Sequence, residues 1–260
     1  MAQTISDIKA RLKAADRAEF DILEYSLRGD TRKGVQAALA QTRKRFEAAE
    51  AEGARLKSLY DFEESLASDG VVLGLDEVGR GPLAGPLTVG AVVLDKTAKR
   101  VEGLNDSKQI PESHRDAVAE AVKESALAWA IVHVSPSDID AHGMTACLKK
   151  AFKQAIADIE SQGVHVDVVL LDGNPLHIDP REINVIKGDA KCASISAASV
   201  IAKVERDQIM RDYDKQYPGY DFASSKGYGS AHHRQAIAEK GITPIHRVSF
   251  CGNFLQESLF

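Results

Sequence analysis

Residues Val71 to Leu94, VVLGLDEVGRGPLAGPLTVGAVVL, leave little choice of local structure. An apolar run ends on two adjacent carboxylates, Asp76 and Glu77. Gly79, Arg80, Gly81 and Pro82 then make a turn, and a second apolar run returns from Leu87 to Leu94. Continuous apolar runs on either side of a Gly/Pro turn read as a hairpin of buried strands. Acids at a strand's end, beside a glycine-rich turn that holds one arginine, point to a metal site next to a phosphate site. A dinucleotide-binding turn fits poorly. Gly79, Gly81 and Gly85 are spaced G-x-G-x-x-x-G, Pro82 and Pro86 discourage a helix start, and acids before the loop would repel a pyrophosphate.

The chain before this hairpin differs in character from the chain after it. Residues 1–70 are rich in Ala, Leu, Glu, Lys and Arg, lack proline, and carry Ile5, Ile8, Leu12 and Ala15 at helical spacing. A second helical stretch is expected from Thr31 to Leu66, and Ser68, Asp69 and Gly70 form a junction. Arg32, Lys33, Arg43, Lys44 and Arg45 fall together with no acid between Arg32 and Arg45. They read either as a solvated helix face or as a clamp on a phosphate backbone.

From Val71 to Phe260 strands alternate with helices. Helices are expected over Pro111–Lys123, Thr145–Ile159, Ala193–Gln216 and His232–Lys240, and strands over Ala128–Val134, Val166–Leu171 and Ile183–Ile186. This order gives an α/β fold, a mixed sheet with helices on both faces, behind an N-terminal helical extension. With 260 residues, 44% hydrophobic and 27% charged, the chain suits one large domain with an appendage. A net charge of -5 provides no global basic field, so any nucleic-acid contact must come from a local face. Cys147, Cys192 and Cys251 are far apart with no CxxC spacing, which argues against a disulfide framework or zinc and fits a reducing compartment. Neither a signal peptide nor a membrane span is expected, so the reading is soluble and cytoplasmic; a monomer is expected.

Asp76 and Glu77, Asp172, and Asp189 each stand at or just beyond the C-terminal end of an expected strand, the edge where α/β folds place their sites. Four acids gathered there would repel one another unless cations hold them. Hard oxygen ligands suit Mg²⁺ or Mn²⁺, two of which could activate water and stabilise a leaving phosphodiester oxygen. Taken singly, Asp172 and Asp189 also read as turn or cap residues.

DEVGRGPLAGP (Asp76–Pro86), GLNDSK (Gly103–Lys108), LLDGN (Leu170–Asn174), KGDA (Lys187–Ala190), SISAASVIAKVERD (Ser194–Asp207), KGYGSAHH (Lys226–His233) and PIHRVSF (Pro244–Phe250) succeed one another in an order that resembles bacterial ribonuclease HII. The resemblance covers residues 71–260. It implies a ribonuclease H-like fold and a metal site of Asp76, Glu77, Asp172 and Asp189. It also implies hydrolysis of the RNA strand of RNA/DNA hybrids and incision 5′ to single ribonucleotides in duplex DNA, leaving 3′-hydroxyl and 5′-phosphate ends. By the same resemblance Gly79, Arg80 and Gly81 read the 2′-hydroxyl and adjacent phosphate, and Tyr228 packs on the neighbouring deoxyribose.

Elementary chemistry agrees with these roles. Only the 2′-hydroxyl separates RNA from DNA locally, a glycine-flanked backbone can approach it, and an arginine fork can hold a phosphate. Lys108, Lys187 and Lys226 are candidate phosphate contacts or plain exposed lysines, and His233 and His246 are expected to make structural hydrogen bonds. Ser225, Val248 and the run Ala190, Lys191, Cys192, Ala193 depart from the usual family pattern, which bears on affinity rather than on the four acids. The N-terminal stretch resembles the helical extension of longer members, including DTRKGVQ at Asp30–Gln36. Other readings are a type HIII ribonuclease or a resolvase of the same fold, or a hybrid-binding module without activity. Arg80 speaks against type HIII, and the full set of acids against an inactive module.

Overall fold

Alternation along the two hairpin strands decides how the larger unit is layered. In the computed structural model, which describes residues 3–67 and 69–256, the chain divides into two compact units, Met1–Lys57 and Ser58–Phe260. The larger holds β1 (Val72–Val78), β2 (Leu87–Leu94), β3 (Ala126–Val134), β4 (Val168–Asp172) and β5 (Glu182–Val185) in one sheet of order β3-β2-β1-β4-β5. The β1–β2 and β2–β3 pairs are antiparallel, while β1–β4 and β4–β5 are parallel. The helices of the whole chain are α1 (Ile5–Ala14), α2 (Arg17–Leu27), α3 (Lys33–Ala67), α4 (Glu112–Ser125), α5 (Pro136–His142), α6 (Met144–Ser161), α7 (Ala193–Gln216), α8 (Phe222–Ser225), α9 (Ala231–Lys240) and α10 (Val248–Gln256). Among the described residues no helix is long and apolar enough to cross a membrane.

Successive strand side chains point to opposite faces. Leu73 and Leu75 therefore join Val89, Ala91, Val169 and Leu171 in the main core, against Leu148, Phe152, Ala155 and Ile159 of α6. Val72 and Leu170 face the other way, with Val185 of β5 and with Cys192 and Ile195 at the start of α7. On that second face two glycines let backbone meet backbone. A Cβ on Gly74 would lie 2.2 Å from the carbonyl carbon of Ser194, and one on Gly90 would lie 2.2 Å from Ala198 O.

The last turns of α3 belong to the larger unit. Tyr60 Oη accepts the Val101 N–H (3.0 Å), and Leu66 and Ala67 pack against the Val72 cluster. The buried Glu63 carboxylate accepts the Ser194 N–H (2.7 Å) at the start of α7, where the N-cap residue Cys192 supplies no side-chain acceptor. Burial pushes the Glu63 pKa up, opposed by the bond from Ser194. A version lacking residues 1–57 is accordingly expected to keep the sheet and to melt several degrees above one lacking residues 1–67. The longer deletion forfeits about 2 kcal/mol of cap and apolar burial. Equal melting temperatures would contradict this role for the end of α3.

The smaller unit has its own core of Ile8, Leu12, Phe20, Leu23, Val35 and Leu39. Capping boxes open α1 (Thr4 with Asp7) and α2 (Asp16 with Glu19). Its basic run is largely committed within the unit. Arg32 pairs with Asp30 (2.6 Å), Arg43 with Glu24 (2.6 Å), and Arg45 donates to the carbonyls of Lys13 and Ala15 (both 2.7 Å). Among the described residues, no partner is seen for Lys33 or Lys44.

Several expected bounds shift for local reasons. α2 is a separate helix because Asp16 caps it anew. Ser135 caps α5, which the sequence reading passed over, as it did α10, whose first N–H groups are accepted by Asp140. β1 runs past the acids to Val78 because β2 continues to pair with it, Asp76 with Gly90 and Glu77 with Val89. Asp189 lies beyond β5, in a 3-10 turn over Gly188–Ala190.

Candidate active site

The acids reach one edge of the sheet from separate segments. The parallel register of β1 and β4 ends at Leu75 and Leu171, so Asp76 and Asp172 each stand one step past the last paired residues. Asp76, 7% exposed, faces α7, where the Ser199 hydroxyl bonds it, and its Oδ1 accepts the Glu77 N–H (2.7 Å). Burial raises its pKa well above the ordinary carboxylate value, and the charges of Glu77 and Asp172 add to this. Glu77 is also raised by burial, against the opposing pull of Arg80, whose Nη1 lies 3.2 Å from Oε1.

Asp172 is raised by burial and by the charge of Asp189, although its Oδ1 accepts the Gly188 N–H (2.6 Å). Asp189, 9% exposed, meets Lys108 Nζ at 3.4 Å, and its carbonyl accepts the Ser196 hydroxyl of α7. Lys187 just before it adopts the left-handed conformation (φ 58°) that turns the chain into the 3-10 turn. The Ser107 and Ser199 hydroxyls are 3.0 Å apart and pin the Gly103–Lys108 segment to the same helix. Asp76, Glu77 and Asp172 thus each sense the charge of a neighbouring acid. Among the described residues, no group of three or more His, Cys, Asp or Glu is drawn tightly enough to hold an ion. An all-oxygen donor set of this kind suits a hard divalent cation.

Beside the acids, the segment Gly79–Pro86 is a sharply turned loop. Gly79 (φ 91°) and Gly85 (φ 86°) take conformations that favour glycine, and a Cβ on Gly79 would meet Arg206 Nε at 2.3 Å. Two neighbouring segments clamp the loop. Leu83 N–H donates to Gly227 O (2.8 Å), Gly85 N–H to Ile245 O (2.8 Å), and Arg247 N–H to Leu83 O (2.8 Å). Tyr228, 49% exposed, lies against Gly81: a Cβ built there would be 3.6 Å from Cε1 of its ring.

A chain of histidines supports Tyr228 from behind. Thr243 N–H donates to His246 Nδ1 (2.9 Å), the two Nε2 atoms of His246 and His233 are 3.0 Å apart, and His233 Nδ1 meets Tyr228 O (2.8 Å). The bonds at both ends require His246 to donate through Nε2 and His233 through Nδ1, with both rings neutral. Burial pushes His246 down to about 4, and the neighbouring His233 adds to the shift. These two histidines serve structure, as the sequence reading expected.

The three candidate lysines are placed differently. Lys108 is exposed beside Asp106 and Asp189, and Lys187 is exposed at its turn. Lys226, in the left-handed conformation, turns its ammonium inward to Ala223 O (2.6 Å), near Asp207 and Glu112. Two site residues escaped the sequence reading, the fully buried Arg206 and Arg247, which bind the loop's carbonyls. Arg206 could have been found. It continues the buried stripe Ile195, Ser199, Ala202, Arg206, Met210 along α7, where an arginine must have internal partners. Arg247 lies between helices, with no periodicity to betray it.

Known proteins can be compared with this geometry. Residues 73–253 match the family model "Ribonuclease HII", and residues 4–67 match "Ribonuclease HII N-terminal domain". The fold is similar to the ribonuclease H2 of Pyrococcus horikoshii OT3, with 25% identity and a TM-score of 0.64 over 72% of this chain and 98% of that one. It is also similar to ribonuclease HII of Archaeoglobus fulgidus, solved as a complex with PCNA, with 26% identity and a TM-score of 0.58 over 68% and 93%. Bst-RNase HIII in complex with Mn²⁺ shares the fold alone, at 18% identity and a TM-score of 0.63 over 76% and 73%. With residues 73–253 of its larger unit matched and its N-terminal helices matched as well, the chain belongs to the ribonuclease HII family.

Proposed function

We propose that this ribonuclease H hydrolyses the RNA strand of RNA/DNA hybrids and also incises duplex DNA 5′ to a single embedded ribonucleotide, leaving 3′-hydroxyl and 5′-phosphate ends. The observation that carries the reading is a set of acids at one sheet edge, raised by burial and by one another, beside a turned loop against which the exposed Tyr228 lies. Asp76, Glu77, Asp172 and Asp189 would hold Mg²⁺ or Mn²⁺, ions of the kind named in the Bst-RNase HIII complex. Two such ions would supply activation of the attacking water and neutralisation of the leaving oxygen.

The chain's own groups do the rest. Gly79, Arg80 and Gly81 bring backbone donors to the 2′-hydroxyl and its phosphate, Arg80 adds a guanidinium, and Tyr228 stacks against the adjoining sugar. Lys108 and Lys187 stand exposed where a phosphate backbone could meet them. For the N-terminal helices the proposal is accessory binding of the hybrid, which rests on Lys33 and Lys44 more than on the paired arginines. Deletion of residues 1–57 should then weaken binding most at low salt.

The deciding experiment is cleavage of a DNA duplex that contains one ribonucleotide. Cutting on its 5′ side with Mg²⁺ is expected, and EDTA should stop it. If the duplex stays intact while an RNA/DNA hybrid is cut, the single-ribonucleotide reading is wrong. Cutting that persists in EDTA would dispose of the metal site.

A further inference from the structure

The loop Gly79–Pro86 is tied from below by two guanidinium groups whose described hydrogen bonds all go to carbonyl oxygens. Arg247, fully buried, donates Nη2 to Gly79 O (2.6 Å), Nη1 to Arg80 O (2.9 Å), and both Nε and Nη2 to Gly85 O (3.1 and 2.8 Å). Arg206, equally buried, donates to Pro86 O (2.9 Å), Lys226 O (3.0 Å) and Ala84 O (3.3 Å). Burying a cation is unfavourable, and burial draws both groups down to about 10. Closing a turn does not by itself require two buried cations.

The peptide geometry supplies a reason. The described chain has no cis peptide bonds, and in a trans peptide the C=O and N–H point in opposite directions. Arg247 draws the carbonyls of Gly79 and Arg80 inward, so the next N–H groups, those of Arg80 and Gly81, point outward. Among the described residues neither has an acceptor. They emerge beside the exposed Tyr228 ring, with two positive charges behind them.

We infer that Arg247 is a positioning residue for ribonucleotide selection. Its fork fixes the carbonyls of Gly79 and Arg80 so that the N–H groups of Arg80 and Gly81 form a rigid pair of donors for the sugar hydroxyl and phosphate, while Arg206 anchors the far end of the loop. The inference rests on the assignment of Gly79–Gly81 to the ribonucleotide. Lysine at 247 keeps the charge but cannot reach three carbonyls with one planar fork.

The test compares wild type, R247K and R247M, all full-length, on the single-ribonucleotide duplex with Mg²⁺, together with a melting curve for each. R247K should fold, with KM raised about tenfold and kcat within about threefold of wild type, because the donors are lost to binding while the acids are untouched. R247M should be at least as impaired in KM. A folded R247K with unchanged KM, or with its loss confined to kcat, overturns the inference. If the wild type itself ignores the ribonucleotide, it is the underlying assignment that fails.

Should neither variant fold, ¹⁵N-labelled wild type decides in EDTA. On titration with the same duplex, the Arg80 and Gly81 amide signals should shift more than they do with an all-DNA duplex. Equal shifts, or none while other amides of the loop respond, would overturn the inference even though cleavage is intact.

Discussion

Asp76→Asn is expected to reduce cleavage by roughly a thousandfold or more while making the metal-free protein more stable. Asp76 is buried, its pKa is raised first by burial and then by Glu77 and Asp172, and its accepted hydrogen bonds are too few to offset this. An amide of the same shape removes the charge and the repulsion, so the variant should gain about 1–2 kcal/mol in EDTA. The pH dependence has a definite sign. A carboxyl whose folded pKa is raised keeps its proton longer in the folded state, so its contribution is fully present below the unfolded value and is lost as pH rises through the folded one. Metal-free wild type should therefore lose stability as pH rises from the ordinary carboxylate range, and Asp76→Asn should flatten that slope. Melting curves in EDTA at several pH values, with a cleavage assay in Mg²⁺, provide the check. A variant that still turns over normally, or that melts lower at neutral pH, would refute this account of the acids.

Gly74→Ala and Gly90→Ala should each cost about 3 kcal/mol or more, far beyond what a single added methyl does on a surface. The new Cβ would lie 2.2 Å from main-chain atoms of Ser194 or Ala198, and a main chain cannot rotate aside as a side chain can. β1 or β2 would have to part from α7, and with it the seats of Asp76 and Asp189. Gly53→Ala in α3 is the natural control. Nothing lies within 4 Å of its added Cβ, and a helix interior favours alanine by about 1 kcal/mol. Urea midpoints that fail to separate Gly74→Ala from Gly53→Ala would count against the close strand–helix packing.

Much of this was legible in the residues because their patterns are local. The apolar run to Asp172, the small residues SISAAS that open α7, and the glycines around Arg80 each announce a strand, a close helix and a turned loop. The bounds of α7 read from sequence are those of the structure. What escaped depends on distant parts of the chain. α10 is capped by Asp140, more than a hundred residues earlier, and Glu63 lends α7 a cap from another helix. Neither partner is visible from the segment it serves. The basic run read as a possible clamp could not reveal that Arg43 would find Glu24, or that Arg45 would close the end of α1. Arg247 hides for the same reason, since its acceptors lie in a loop some 160 positions upstream.

One helix sets the phase of the whole site. Along α7, Ser196 holds the turn of Asp189, Ser199 holds Ser107 and Asp76, and Arg206 holds the loop Gly79–Pro86. These residues span ten positions, or about 15 Å of helical rise, and each must also come round to its own partner at about 100° per residue. A residue inserted between Ser199 and Arg206 would leave the sequence of both hairpin strands unchanged. It would nevertheless swing the loop's anchor roughly a quarter turn away from the acids. The spacing between the acids and the loop is therefore kept by helical pitch, so a change of length between Ser199 and Arg206 should uncouple the two.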